Sequence, residues 1–150
     1  LEYKNFDLTM FWQGVQGVDV ISDLKKETDL WSGLNIGFLN KGKRVLDAWS
    51  PTNPNSTIPA LSRSDTNNEK RVSTYFVENG SFLKLRNIQL GYNVPKTFAQ
   101  KMKMERLRFY LSAQNVFTIK SKEFTGVDPE NANYGYPIPM NITFGINVGF

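Results

Sequence analysis

Cysteine and histidine are both absent from the 150-residue chain. Their absence excludes cysteine nucleophiles, Ser-His-Asp triads, His/Cys zinc sites and any disulfide framework within this sequence. There is also no apolar run approaching the roughly 18 residues that a transmembrane helix needs. Barrel strands are shorter and alternate in polarity, so this last absence leaves a membrane location possible.

Neither positive nor negative charge is concentrated in one segment of the chain. The 18 Lys and Arg residues and 14 Asp and Glu residues give a net charge of +4, and the two signs are interleaved along the chain. A protein that tracks a phosphate backbone usually carries a dense basic stripe. Nucleic acid is therefore not expected as a partner.

What the chain does have is period-two alternation, with many aromatic residues and turn formers. Aromatic residues make up 13% of the chain, with 11 Gly and 7 Pro. Alternation of apolar and polar residues predicts strands at about 3–16, 82–94, 106–119 and 141–150. In the last of these, Ile142, Phe144, Ile146, Val148 and Phe150 alternate with small polar residues and glycine. The sequence predicts an all-β antiparallel fold.

The second predicted strand changes phase near Arg86 and Asn87. One extra residue in a strand produces such a slip, which predicts a β-bulge there. Alternatively, the first half of this segment lies beyond a membrane, where strict alternation is not required.

The connections between the strands differ greatly in length. Residues 17–81 and 120–140 form two long connections, and residues 95–105 form a short one. Short helical segments are expected near 22–28, 41–49 and 96–103. The rest of the longest connection is polar and rich in turn formers, and its length exceeds that of a normal hairpin loop.

Alternation by itself fits two architectures, a soluble antiparallel sandwich and a transmembrane barrel. Three details favour the barrel. The last two strands reach the length of about 9–11 residues that a tilted membrane strand needs. The polar face of the last strand is made of Asn, Thr and Gly rather than Lys and Glu. If Phe150 ends at the periplasmic side, both long connections are external and 95–105 is a periplasmic turn, as in outer-membrane barrels.

Four strands cannot close a barrel, for which about eight are needed. An open edge in lipid leaves backbone groups without hydrogen-bond partners. Further strands are therefore expected, and the chain, which begins at Leu1 rather than Met, is expected to be a segment of a longer protein.

Several segments, in order and spacing, resemble one family. They are FDLTMFWQGVQG (residues 6–17), the run from Trp49 to Asn55, GSFLKLRNIQLGYNVP (80–95), LRFYLSAQNVFT (107–118), YGYP (134–137) and TFGINVGF (143–150). Together they resemble the C-terminus of the SusC/RagA family, the TonB-linked outer-membrane transporters of Bacteroidetes.

This resemblance implies the last four strands of a barrel of about 22 strands, the size class of outer-membrane transporters with a plugged lumen. It implies partners: the rest of the barrel and its plug, a SusD-like surface lipoprotein, the TonB–ExbB–ExbD complex, the barrel assembly machinery and outer-membrane lipid. The implied function is import of oligosaccharides or peptides across the bacterial outer membrane. The alternative function is that of a soluble carbohydrate-binding β-sandwich.

Three sets of candidate residues follow. Phe150, with Val148, Ile146 and Phe144, resembles the terminal signal read by the barrel assembly machinery; otherwise Phe150 is an aromatic of the interfacial girdle. Aromatic residues of the long loop are candidates for contact with ligand or lipoprotein, or for the loop's own core: Trp31, Trp49, Tyr75 and Phe76. The third set consists of polar residues that are expected to face the lumen. There they either contact the plug or substrate, or form hydrogen bonds to the plug and to neighbouring strands. They are Asp7, Gln13, Gln89, Asn93, Gln114 and Asn147.

Catalysis and cofactors are not expected. Asp128, Glu130, Asn131 and Asn133 loosely suggest a cation loop, but they lack the EF-hand spacing with its Gly and terminal Glu. The carboxylates lie in loops with no spacing that would pair them for glycoside hydrolysis. The sequence therefore predicts neither an enzyme nor a metal site.

Overall fold

A computed structural model describes residues 1–30, 40–62, 64, 68–132 and 135–150. The chain forms two compact units. The strand unit contains Leu1–Gln16, Phe82–Lys120 and Ile138–Phe150, and the loop unit contains Gly17–Ser81 and Ser121–Pro137. Among the described residues, no helix has the length and hydrophobicity needed to cross a bilayer.

The regular elements are mostly antiparallel strands. In chain order they are β1 (Glu2–Tyr3), β2 (Phe6–Val15), β3 (Asp19–Ile21), α1 (Asp23–Asp29), a 3-10 helix at Lys43–Asp47, another at Thr74–Phe76, β4 (Val77–Asn79), β5 (Phe82–Asn93), α2 (Lys96–Lys101), β6 (Arg106–Lys120) and β7 (Asn141–Gly149).

The strand unit is one antiparallel sheet in the order β1-β2-β5-β6-β7. The sequence predicted a single first strand from about residue 3, but the structure has a tight hairpin there. Tyr3 pairs with Phe6 across a two-residue turn, and Lys4 in that turn has a φ of 54°. Two-residue hairpin turns require positive φ values, which explains why the chain reverses at this point.

An irregularity crosses the sheet at the position where the sequence changes phase. From Met10 to Trp12 β2 advances two residues, while its partner β5 advances three, from Ile88 to Leu85. Over the same step β6 advances four, from Ala113 to Phe117. Arg86 is thus the extra residue of β5, as the sequence predicted. The irregularity of β6, where Asn115 has a φ of 53°, was not predicted.

These irregularities keep the apolar residues of neighbouring strands on one face. Leu85 of β5 pairs with Trp12 on one side and with Phe117 on the other. Without the bulge, the two halves of β5 would present their apolar side chains to opposite faces. The apolar face runs across β2, β5, β6 and β7, and the opposite face is mostly polar.

The two ends of the sheet differ in their connections. At one end lie the Lys4–Asn5 turn and the short connection between β5 and β6, where α2 occupies Lys96–Lys101 within the predicted helical segment 96–103. Strand β7 also finishes at this end, because Gly149 pairs with Arg106. At the other end, β2, β5, β6 and β7 all join the two long connections.

The loop unit has its own small scaffold. Strands β3 and β4 pair with each other and bring the two ends of the longest connection together. Helix α1 overlaps the predicted helical segment 22–28 and is shifted from it by one residue. The 3-10 helix at Lys43–Asp47 lies within the predicted segment 41–49. Leu30, Phe76 and Phe124 are buried in this unit, so the long connections include an apolar interior as well as the polar turns.

Candidate functional site

The register places all six candidate lumen residues on the polar face of the sheet. Each of these residues alternates with the apolar positions of its strand, β2, β5, β6 or β7. The six residues are Asp7, Gln13, Gln89, Asn93, Gln114 and Asn147. This face also carries residues that the sequence did not single out, chiefly Arg86, Arg108 and Tyr110.

An ion pair joins three strands on this face. Arg108 of β6 donates from Nη2 to Oδ2 of Asp7 in β2 at 2.6 Å, and Asn93 of β5 donates to Oδ1 of the same carboxylate at 3.1 Å. Strand β5 lies between the two charged strands, and Gly91 occupies the position beneath the pair. A Cβ at Gly91 would collide with Asp7 and Arg108, so the glycine gives the pair its space.

A second glycine, in β7, also gives space to a side chain of the neighbouring strand. Tyr110 of β6 pairs with Gly145 of β7, and the tyrosine ring lies over the glycine. A Cβ at Gly145 would collide with that ring. An aromatic ring that covers a glycine in the neighbouring strand protects its backbone and fixes the register.

Amide and hydroxyl groups connect the strands near the bulge. Arg86 donates to Oε1 of Gln13 at 2.8 Å, and Ser112 donates to Oδ1 of Asn87 at 3.2 Å. Because Arg86 is the extra residue of β5, the bulge turns a cation toward the polar face. Bulges commonly re-aim a side chain in this way.

The opposite face carries exposed apolar side chains. Phe6, Met10, Trp12, Leu90 and Leu111 are between 42% and 49% exposed. Aromatic pairs occur at both ends of this face, Phe6 with Tyr92 at 4.8 Å between ring centroids and Trp12 with Phe117 at 5.5 Å. A contiguous apolar surface of this kind normally contacts another apolar medium or partner.

Strand β7 is an edge strand of this sheet, because β6 is its one neighbour among the described strands. Its candidate residues Phe144, Ile146 and Val148 lie on the apolar face and are 64%, 51% and 45% exposed. Phe150 follows the strand and is 85% exposed. The four residues named as an assembly signal therefore lie along one open edge.

The candidate aromatic residues of the loop unit have different environments. Trp31 lies outside the described residues. Trp49 is 45% exposed, whereas Phe76 is 1% exposed and belongs to the interior of the unit. Tyr75 is partly buried, and its ring packs edge-on against Phe76 at 5.1 Å.

Tyr75 also belongs to a buried polar cluster around Asp29. The Tyr75 hydroxyl donates to Oδ2 of Asp29 at 2.5 Å, and Arg44 donates to both oxygens of the same carboxylate. Asp29 has no exposed side-chain surface, so a bidentate arginine is the kind of partner that its charge requires. Burial, together with the bond to the Asp29 carboxylate, raises the pKa of the Tyr75 hydroxyl far above its usual value.

A second buried carboxylate joins the two long connections. Glu78 of β4 accepts hydrogen bonds from the backbone N–H of Thr125 and from its hydroxyl, both at 2.9 Å. Lys25 lies 3.7 Å from Glu78 and carries its ammonium 4.2 Å from the centroid of the Tyr75 ring. Ser22, which caps α1 through the N–H of Lys25, is fully buried and lies 3.4 Å from the Thr125 hydroxyl.

Sequence reasoning missed both carboxylate clusters. Tyr75 is 46 residues from Asp29, and Glu78 is 47 residues from Thr125. No spacing rule connects residues so far apart. The one local signal is Ser22 before Asp23, a helix N-cap with an acidic first turn.

The segment that the sequence loosely suggested as a cation loop, around Asp128 and Glu130, has the geometry of a turn. Asp128 accepts a hydrogen bond from the backbone N–H of Glu130, and Asp128 and Asn131 form an isolated bridge. Asn133 lies outside the described residues. Within the described ranges, there is no group of three or more side chains suited to hold a metal ion.

Known proteins are similar to this chain over its whole length. The TonB-dependent receptor P3 of Formosa agariphila is 32% identical over 100% of this chain, which covers 15% of the receptor. The TonB-dependent receptor SusC of Bacteroides thetaiotaomicron is 31% identical over 100% of the chain and 14% of the receptor. This chain belongs to the TonB-dependent receptor family.

Solved structures of this receptor family agree with the sequence comparison. The structure of the RagAB peptide transporter matches 99% of the chain with a TM-score of 0.78 and 31% identity. The RagAB peptide importer in its open-open state matches with a TM-score of 0.78 and 30% identity. Both matches cover 16% of the larger chain, so the TonB-dependent receptor segment described here spans about one-sixth of these relatives. No family model matches the sequence.

Proposed function

We propose that this chain forms the last four strands of a transmembrane β-barrel in a bacterial outer-membrane importer. The observation that carries the proposal is the continuity of the apolar face. Across β2, β5, β6 and β7, two changes of register keep apolar side chains on one side, and these side chains are exposed. In a barrel this face contacts lipid, and the polar face lines a wet or plugged lumen.

The ends of the sheet support an orientation. Outer-membrane barrels have short periplasmic turns and long external loops. The end with the Lys4–Asn5 turn, α2 and Phe150 is the periplasmic end, and residues 17–81 and 120–140 are external. Strand β7 then supplies an open edge for barrel closure, and Phe150 with its apolar neighbours serves as the assembly signal.

The proposed cargo is an oligosaccharide or a peptide, moved with energy from the TonB–ExbB–ExbD complex. The plug and the site that contacts TonB belong to the remainder of the protein. A SusD-like lipoprotein is the proposed surface partner, and Trp49 on the loop unit is exposed enough to contact it. The similarity to a RagAB peptide transporter and to SusC supports a nutrient importer without a catalytic role.

A soluble carbohydrate-binding sandwich is less well supported. Its apolar face would be covered by a second sheet, since a sandwich buries both inner faces. The other sheet within the described part of the chain has just two short strands, β3 and β4. Residues such as Phe144, which is 64% exposed, need a larger apolar environment.

Fractionation of cells that produce the full-length protein tests this proposal. The expected result is recovery in the outer membrane, with a band that migrates faster before boiling than after it, because a closed barrel resists detergent. A soluble periplasmic protein of the same cells is the control for contamination between the two fractions. Recovery in the soluble fraction with no shift on boiling would overturn the proposal.

A further inference from the structure

Although the chain has no dense basic stripe, the short connection between β5 and β6 has a local excess of positive charge. Residues 95–105 contain three lysines and one acid, Glu105. The two long connections have no such excess: residues 17–81 contain eight Lys or Arg and eight Asp or Glu, and residues 120–140 contain two lysines and three acids. Among the connections, the excess therefore belongs to the end of the sheet that the proposed function places at the periplasmic side of the membrane.

Acidic side chains do not neutralise these lysines. In the part of the chain that the structure describes, none of Lys96, Lys101 and Lys103 forms an ion pair, and all three are exposed. Lys101 places its ammonium 5.5 Å from the centroid of the Phe98 ring, which carries no formal charge. The positive charge of the connection can therefore act on an anion that approaches from outside it.

The same connection exposes apolar side chains beside the lysines. Phe98 and Met102 are 59% and 49% exposed. They are four residues apart at helical spacing, which places them on one side of the turn. Ala99 is 1% exposed, and α2 contacts β6, so the helix is held against the sheet. A segment that exposes both apolar side chains and lysines suits the boundary between lipid headgroups and acyl chains.

The neighbouring turn at this end of the sheet has the same combination of residues. Tyr3 pairs with Phe6, which places it on the apolar face, and its side chain is 72% exposed. The ammonium of Lys4 lies 5.3 Å from the centroid of the Tyr3 ring. Each of the two turns thus has an aromatic residue with a lysine beside it. Both turns adjoin the apolar face that contacts lipid in the proposed barrel, and lysines beside such a face extend their charge to the headgroups.

We propose that α2 and the two residues after it bind anionic phospholipids in the periplasmic leaflet of the outer membrane. The inference rests on the proposed function, which sets the orientation of the sheet, and goes beyond it by naming a lipid class. Phe98 and Met102 contact the acyl chains next to the headgroups, and the three lysines contact phosphate groups. Each lysine near an anionic membrane surface strengthens binding roughly fivefold, whereas a zwitterionic surface has no net charge to attract it.

A protein partner fits this surface less well. The central part of a protein interface is depleted in lysine. Here Lys101 lies between Phe98 and Met102 in the sequence, and Lys103 follows directly. A surface in which lysines alternate with apolar side chains matches a lipid headgroup region, where phosphate groups and acyl chains lie close together.

Fluorescence quenching by spin-labelled lipid tests the inference. Gln100, an exposed residue of α2, is replaced by Cys in the full-length protein, with any other cysteines replaced, and is labelled with bimane. The protein is reconstituted in phosphatidylcholine vesicles with a small, equal fraction of phosphatidylglycerol or phosphatidylcholine that carries a spin label near the headgroup. We expect the phosphatidylglycerol label to quench severalfold more strongly. This difference should decrease in about 1 M salt, which screens exposed charges beyond about 3 Å.

Two triple variants with the same change in net charge separate a local site from the overall charge of the protein. The test variant combines Lys96→Gln, Lys101→Gln and Lys103→Gln, and the two lipids are expected to quench its label almost equally. The control variant replaces three exposed cations of the loop unit by Gln and is expected to keep the preference for phosphatidylglycerol. The three control positions are Lys43, Arg71 and Lys122. If Gln100→Cys does not assemble into a heat-modifiable barrel, Thr97→Cys, also exposed on α2, carries the label.

The apolar contact has its own variant. Phe98→Ser combined with Met102→Ser is expected to reduce quenching by both lipids, because α2 then leaves the headgroup region. Unchanged quenching in this variant, equal quenching by the two lipids in the parent, or the same loss of preference in both triple variants would overturn the inference. No quenching by either lipid would mean that another partner covers α2, and would also overturn it. The proposed function fails separately, if the unaltered protein does not form an outer-membrane barrel.

Discussion

Arg108 and Asp7 meet across an intervening strand, directly above Gly91. Strands β2 and β6 are not neighbours, but an ion pair of 2.6 Å can join them because Gly91, the residue between them, has no side chain. The pair is partly buried, with 15% and 19% of the two side chains exposed. It therefore ties β2, β5 and β6 together on the polar face.

Gly91→Ala is expected to destabilise the strand unit by about 1–3 kcal/mol, because the new Cβ must displace the ion pair. The measurement is the temperature at which the folded band of the full-length protein converts to the unfolded band. In a background that carries both Asp7→Ala and Arg108→Ala, the same substitution should cost clearly less. An equal cost in both backgrounds would show that the glycine is not required for the pair.

Gly145→Ala is expected to have a similar cost, because Tyr110 must leave its position over the glycine. Gly149→Ala in the same strand is the control, since its Cβ would meet Arg106 at an ordinary contact distance of 3.5 Å. The same band-conversion temperature measures both variants. The packing of Tyr110 on Gly145 is contradicted if the two substitutions lower that temperature equally.

Phe144→Lys tests whether the apolar face contacts lipid. At mid-bilayer a lysine on the lipid face costs about 2–4 kcal/mol. Thr143→Lys, one residue away on the polar face, is the control and should cost much less. Equilibrium unfolding of the full-length protein in lipid vesicles measures the difference. Comparable losses for both variants would argue against the assignment of the two faces.

Glu78→Ala is expected to separate the two long connections within the loop unit. The substitution removes the acceptor of the Thr125 N–H and hydroxyl, a loss of about 1–3 kcal/mol for a buried group. Limited proteolysis of the intact protein should then cut residues 121–132 faster. Glu123→Ala, at an exposed position of the same connection, should leave the cleavage rate unchanged. Equal cleavage rates for the two variants would contradict the role of Glu78 in joining the two connections.

The alkaline stability of the loop unit is expected to depend on Tyr75. Burial and the bond to Asp29 raise the pKa of its hydroxyl in the folded state. The folded unit therefore holds the proton above pH about 10, where the unfolded chain releases it. The contribution of Tyr75 to the stability of the loop unit is therefore fully present below that pH and decreases as the pH rises above it.

Tyr75→Phe removes this dependence and the hydrogen bond to Asp29. The variant should be less stable at neutral pH by about 1.5–3 kcal/mol, the range for a bond to a charged group. Its cleavage rate in limited proteolysis should also rise less steeply with pH above about 10 than that of the parent. Parallel pH profiles for the two proteins would contradict the role of Tyr75.

The sequence by itself determined the two-faced sheet, because side chains of a strand alternate with a period of two whatever the rest of the chain does. The alternation in Ile142, Phe144, Ile146 and Val148 was enough to place β7. The bulge at Arg86 was predictable for the same reason, since one extra residue reverses the phase. In β6 the step from Ala113 to Phe117 is four residues, an even number, so the alternation continues and the irregularity leaves no trace in the pattern.

Only the tertiary structure decided which distant groups meet. Asp29 with Tyr75, Glu78 with Thr125 and Asp7 with Arg108 are each separated by 46 residues or more. Chain folding brings such pairs together, and burial then requires each carboxylate to find a donor. Composition marks these residues as charged or polar, but their partners depend on register and loop packing, which no local pattern encodes.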